Sequence, residues 1–269
     1  MGEVALEPIE TTIEIGDMPI LVRTDSPEFF HVLVHRFGGF VNAAAKPLFE
    51  FNVEIVPPGR ITDEEELSLS FTEGRWVLER SDFHAEWSTA LGSGTIRQAA
   101  NPYAIDSAMR ILHSLLLARQ GGLLVHAASA VRNGRAFLFA GVSGAGKTTM
   151  ARLAPPDATL LTDEISYLRR AGNGYTAFGT PFAGELAKSG ENISAPLAAV
   201  YLLAKGSENT IEPVSETDAV RGVLESVLFF AKDSELIGHV FESACDLVRQ
   251  VPVQRLTFVP DSRVWEMIG

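Results

Sequence analysis

The chain has 269 residues, 46% hydrophobic and 21% charged, the balance of a folded globular protein with enough material for one large or two modest domains. A formal net charge of −12 excludes the basic surface that a nucleic-acid backbone demands, and the single cysteine, Cys245, excludes an internal disulfide framework or a cysteine-built zinc site. No apolar run approaches the roughly 20 residues of a membrane span, and the start Met1-Gly2-Glu3-Val4-Ala5 lacks the basic-then-apolar profile of a secretory leader, so a cytoplasmic protein with no membrane partner is expected.

Residues 1–100 read as short alternating strands at Thr11–Ile15, Ile20–Arg23, Phe49–Val56, Leu67–Phe71, Trp76–Arg80 and Phe83–Thr89. Turns at Pro57-Pro58-Gly59 and Glu73-Gly74 separate them, and the acidic run Asp63–Glu66 reads as a solvated loop. One helix interrupts the series after Ser26, with Pro27 in its first position and Gly38-Gly39 ending it. The pattern predicts a small, mostly antiparallel β domain. His31, His35 and His84 have no partners at metal-ligand spacing and are read as ordinary residues.

Asn101-Pro102 opens a helix that places Ile105, Met109, Leu112 and Leu116 on one face and closes at Gly121-Gly122. It is expected to join the first domain to a second over 101–269; His113 on it reads as a packed residue. The second domain reads as α/β. Strands are expected at Leu123–Val131 and Ala136–Ala140 around an Arg132-Asn133-Gly134-Arg135 turn, then at Ala158–Thr162. A second hairpin, Ile165–Arg170 and Tyr175–Gly179, follows, then a strand at Leu197–Ala204. Helices at Glu216–Ala231 and Ser234–Gln250 and a strand at Val253–Val259 complete the pattern.

The most explicit chemistry lies where the strand ending at Ala140 runs into Gly141-Val142-Ser143-Gly144-Ala145-Gly146-Lys147-Thr148-Thr149. This is the G-x-x-x-x-G-K-T spacing of a phosphate loop, or Walker A motif, between a strand and a helix. The backbone N–H groups from Gly141 through Gly146, with Ser143 and Ala145 among them, can turn inward around phosphate oxygens. Lys147 can face the β- and γ-phosphates, the Thr148 hydroxyl can ligate Mg²⁺, and Thr149 continues the turn. A helix beginning near Lys147 and stopped by Pro155-Pro156 adds the positive end of its dipole. A bound nucleoside triphosphate, ATP with Mg²⁺, is the expected cofactor.

A second signal follows sixteen residues after Lys147, where the strand Leu160-Leu161-Thr162 ends in Asp163-Glu164. Two adjacent carboxylates at a strand end beside a phosphate loop can divide metal binding and proton abstraction between them.

With the loop, these carboxylates resemble the kinase domain of the HPr kinase/phosphorylase family, and are similar also to the nucleotide core of phosphoenolpyruvate carboxykinase. A third match to the former is Gly122-Leu123-Leu124-Val125-His126-Ala127-Ala128, on the strand two before the loop. The resemblance covers about residues 120–260. It implies an α/β fold, a P-loop kinase domain of the HPr kinase type behind a smaller β domain. It also implies catalytic roles for Asp163 as acid/base toward an acceptor hydroxyl, for His126 near the active site and for Lys147. Thr148, Glu164, Asp163 and Glu185 are the implied metal-side groups. Phe178-Gly179-Thr180-Pro181-Phe182-Ala183-Gly184-Glu185 looks like the bacterial HPr-kinase-like proteins encoded beside peptide-modification genes, with Lys188 a weaker candidate charge clamp.

The expected function is transfer of the γ-phosphate of ATP to a hydroxyl, a serine of a peptide or protein, docked by the N-terminal domain and the loop Thr180–Glu191. A nucleotide-gated binding module and a carboxykinase-like enzyme of a small acid are the alternatives. HPr kinases form hexamers, so a homo-oligomer is compatible with the resemblance, though no residue pattern here fixes an assembly.

Overall fold

Strand-forming runs dominate both halves of the computed structural model, which describes residues 8–58 and 67–269. The acidic run Asp63–Glu66 and the first residues of the chain lie outside the described residues. The chain divides into two compact units, Met1–Leu112 and His113–Gly269, the division falling inside a 17-residue helix, α2 (Tyr103–Arg119).

In the first unit a seven-stranded sheet has the order β1 (Ile9–Ile15), β2 (Met18–Thr24), β3 (Phe49–Ile55), β7 (Ser93–Gln98), β6 (Phe83–Ser88), β5 (Arg75–Arg80), β4 (Ser68–Thr72). Its two parallel pairings are β2 with β3 and β3 with β7. The first needs a crossover, which helix α1 (Pro27–Phe37) supplies. Ser26 caps that helix by accepting the Phe29 N–H at 3.2 Å, and Phe29, Leu33 and Phe37 form the buried stripe. Strand β7 went unpredicted because Ser93-Gly94-Thr95-Ile96-Arg97-Gln98 carries little apolar alternation. A Cβ at Gly94 would lie 2.8 Å from the Phe51 ring and hard against Trp87, so the smallest residue is required in the middle of this sheet.

The second unit is an eight-stranded arrangement. It contains β8 (Leu123–Arg132), β9 (Arg135–Ala140), β10 (Ala158–Thr162), β11 (Ile165–Ala171), β12 (Gly174–Phe178), β13 (Ser194–Lys205), β14 (Thr210–Pro213) and β15 (Val253–Phe258). Helices α3 (Lys147–Arg152), α4 (Glu216–Leu224) and α5 (Ser234–Gln250) complete it. Strands β9, β13 and β15 run parallel, with β13 in the middle. Strand β8 is antiparallel to β9 along Ala127–Arg132 and to β11 along Leu123–His126, so it passes from one partner to the other. Its near-continuous apolar run fits a strand buried on both faces. Phe137, Phe139, Met150, Tyr201, Phe258 and Trp265 fill the core beside it, and the Trp265 indole donates to the Met150 carbonyl at 3.1 Å.

Two expectations need correction here. The helix expected over Glu216–Ala231 stops at Leu224. The first half of β8 has an open edge, and the chain after α4 fills it. Ser226 O accepts the His126 N–H at 2.7 Å, and the Leu228 N–H reaches Leu124 O at 2.8 Å. A backbone donor row left unpaired in the interior is costly enough to override the helical periodicity. Strand β14 was also unpredicted, being a four-residue edge that ends in Pro213. No described helix is long and apolar enough to cross a membrane.

Candidate functional site

Strand register alone assembles the site. Ala140, at the end of β9, is paired with Ala127 on β8, and His126, the next residue back, is paired with Ile165 at the start of β11. The residues flanking these pairs, Gly141 and Glu164, are thereby brought to His126. The result is a cleft of about 190 Å³ lined by Ser143, Gly144, Gly146, Lys147, Thr148, Thr149, His126, Glu164, Glu185 and Arg152. It opens beyond the carboxyl end of β9, one of the parallel strands, where open α/β sheets place ligands.

The loop from Gly141 to Gly146 is shaped by its glycines. Gly146 sits at φ +111° immediately before α3, and a Cβ there would lie 2.6 Å from Cζ of Phe258. Both the backbone and the space demand glycine. The Ala145 N–H donates to Val142 O at 3.0 Å, tightening the curl. Lys147 is 7% exposed, and its Nζ donates to Gly141 O at 2.9 Å and Val142 O at 3.3 Å. The ammonium therefore lies within the loop. Burial pushes the Lys147 pKa down, against the opposing pull of the Glu164 and Glu185 carboxylates.

His126 Nε2 stands 3.6 Å from Glu164 Oε1. Burial and then the Lys147 charge hold the imidazole below its ordinary pKa, with Glu164 acting the other way, so at neutral pH the ring is the neutral form. The turn that presents Glu164 is fixed by Thr162, whose hydroxyl accepts the Glu164 and Ile165 N–H groups, each at 3.1 Å.

The two adjacent carboxylates part company. Asp163 is 1% exposed and does not line the cleft. Its Oδ1 accepts the Gly184 N–H and its Oδ2 the Leu186 N–H, both at 2.9 Å. The expectation that Asp163 faces an acceptor hydroxyl therefore does not fit its placement; Glu164 occupies the cleft wall instead. The physical reason is the segment around Gly184, whose backbone N–H groups draw Asp163 out of the cleft lining while leaving Glu164 in it.

Glu185 reaches the rim, exposed, with Oε2 3.7 Å from Arg152 Nη2. Lys188 is exposed and does not line the cleft. Arg152 escaped the sequence reading, although its position one helical turn after Thr148 is the signal that could have found it. Among the described residues no group of three or more His, Cys, Asp or Glu side chains is gathered as a metal site. Thr148, Glu164 and Glu185 do line one cleft, a sparse set of hard oxygen donors. Such a set suits Mg²⁺, which keeps several waters and is held by few protein oxygens together with phosphates.

The model of the family described as SynChlorMet cassette protein ScmC matches residues 101–269, more than half of the chain. No curated protein matches. Among solved structures, the HPr(Ser) kinase/phosphatase of Coxiella burnetii bears a weak resemblance, with 13% identity over 47% of this chain and 88% of that one and a TM-score of 0.25.

Proposed function

The chain belongs to the SynChlorMet cassette protein ScmC family, and we propose that it is an ATP- and Mg²⁺-dependent kinase that phosphorylates a hydroxyl, a serine of a peptide or protein. One observation carries this reading. Lys147, Thr148, Glu164 and His126, drawn from three separate stretches of chain, line the same cleft. A glycine turn with an incidental lysine would have no reason to meet a carboxylate and a neutral imidazole.

In this reading the backbone N–H groups of Gly144, Gly146 and Lys147 and the Lys147 ammonium hold the triphosphate, while the Ala145 N–H, expected to join them, is taken by Val142 O. Thr148 would hold Mg²⁺ together with the phosphates and waters, with Glu164 and Glu185 lining the same cleft; the ion when bound would neutralise charge on the phosphate oxygens. Glu164 accepts the proton of the acceptor hydroxyl as its oxygen bonds to the γ-phosphorus and the bond to the β-bridging oxygen breaks, releasing ADP. His126, its Nε2 3.6 Å from Glu164, can take the proton on.

Incubating the chain with γ-labelled ATP, Mg²⁺ and a panel of serine-containing peptides tests the reading. Label on serine is the expected result. Glu164→Gln should lower the transfer rate by roughly 10²–10⁴-fold while leaving nucleotide affinity nearly unchanged. Tight ATP binding without transfer to any acceptor would reduce the function to nucleotide capture.

A further inference from the structure

Asp163 is buried and committed to backbone, although it stands next to the residue that faces the cleft. We infer that Asp163 is a positioning residue: its carboxylate clamps the segment 184–186 so that Glu185 stands at the cleft mouth, where it serves acceptor capture, while proton transfer belongs to Glu164. The inference rests on the kinase reading for what is captured, and on geometry alone for the clamp.

An ionised carboxylate only accepts hydrogen bonds, and both oxygens of Asp163 are already occupied by the N–H groups of Gly184 and Leu186 at 2.9 Å. Burial at 1% exposure, outside the cleft lining, keeps an acceptor hydroxyl from the lone pairs that remain. The two clamped residues are those on either side of Glu185. Holding the backbone on both sides of a residue sets the direction of its Cα–Cβ bond, and the Glu185 side chain, exposed, extends from there to within 3.7 Å of Arg152. The ends of the segment are tied elsewhere: Thr180 N–H donates to Leu161 O at 3.1 Å and Glu191 N–H to Leu160 O at 3.1 Å. Between those anchors the backbone turns through Ala187 at φ +52°, a left-handed conformation that an alanine adopts only where its surroundings impose it. A Cβ at Gly184 would lie 2.9 Å from Asp163 Oδ2 and 2.7 Å from Glu164 Oε2, so the clamped backbone lies flat over both carboxylates. The clamp thus also limits where Glu164 can swing.

The test is Asp163→Asn in the full chain. The amide keeps the shape but turns one acceptor into a donor facing an N–H group. Hydrogen exchange of the Gly184 and Leu186 amides should then accelerate by roughly tenfold or more, with ATP affinity unchanged. With an acceptor peptide in hand, Asp163→Asn should raise the acceptor KM and lower kcat far less than Glu164→Gln does. Glu185→Ala should raise the same KM while leaving exchange at Gly184 and Leu186 as it was, which keeps the inference testable if the Asn variant folds poorly. Unchanged exchange across 180–191 in Asp163→Asn would overturn the clamp. So would a fall in kcat as deep as that of Glu164→Gln at unchanged KM, and an unchanged KM in Glu185→Ala would remove its role in capture. Exchange needs no acceptor, so a chain that transfers no phosphate defeats the kinase reading and leaves the clamp to be judged on exchange alone.

Discussion

Two loops meet at the cleft, and they are held in opposite ways. The loop 141–147 shapes itself. Its φ values at Gly144 and Gly146 are +76° and +111°, and its bonds run between its own members, Ala145 to Val142 and Lys147 to Gly141. The segment 179–191 has two backbone bonds of its own, Ala187 N–H to Gly184 O and Gly190 N–H to Thr180 O, and is otherwise tied to neighbouring strands, β10 above all. Leu160 and Leu161 carbonyls accept from Glu191 and Thr180, and Asp163 takes the amides in between. A self-contained loop can be altered chemically without unfolding. One tied to its neighbours loses function and stability together.

The sharpest way to break that contrast is Lys147→Ala. Removing a preorganised cation from the first loop should cost roughly 10²–10³-fold in transfer rate and weaken ATP binding, with the melting temperature little changed. A variant that transferred phosphate normally would show that the loop serves another purpose. The counterpart in the second loop is Gly190→Ala. Its Cβ would collide with the Leu161 carbonyl, a backbone group that cannot step aside cheaply, so a loss of about 1–3 kcal/mol of stability is expected along with activity. Chemical denaturation reads the first and the transfer assay the second; a stable but inactive variant would mean that this segment is not held by its neighbours.

The smallest effect belongs to neither loop and sharpens the comparison by contrast. His113 is fully buried, its Nδ1 3.1 Å from the Tyr167 hydroxyl and its Nε2 without a partner, and burial lowers its pKa to about 3. The unfolded chain binds a proton near pH 6.5 and the folded chain does not, so stability falls as pH drops between those values. At pH 5 the loss is about 2 kcal/mol from this residue, and at pH 7.5 it is nil. Denaturation at the two pH values should show the acid penalty, and His113→Gln should flatten it. A penalty equal in the variant would place the acid-sensitive group elsewhere.

Much of the molecule was legible from residue order. Hairpins announced themselves through Asn133-Gly134 and Gly172-Asn173, and Ser234–Gln250 formed a helix over the expected span because Asp233 caps it, accepting the Leu236 N–H at 2.9 Å. The glycine-rich loop was readable for a related reason: φ values that only glycine tolerates leave a mark in the sequence. The end of α4 was not readable, because what stopped it was the open edge of β8, a partner distant along the chain. Arg152 carried a signal in its place one helical turn after Thr148, but its approach to Glu185 belongs to the fold.

Sequence by itself determined where the backbone could curl around an anion and that two carboxylates would follow a short strand, since both are local consequences of residue type. Only the tertiary structure decided which carboxylate faces the cleft. Asp163 and Glu164 are neighbours of like charge, and nothing in their order distinguishes them. The amides of Gly184 and Leu186 draw one inward and leave the other beside His126. Burying a carboxylate is tolerable only where donors meet it, and those donors arrive from 21 and 23 residues away.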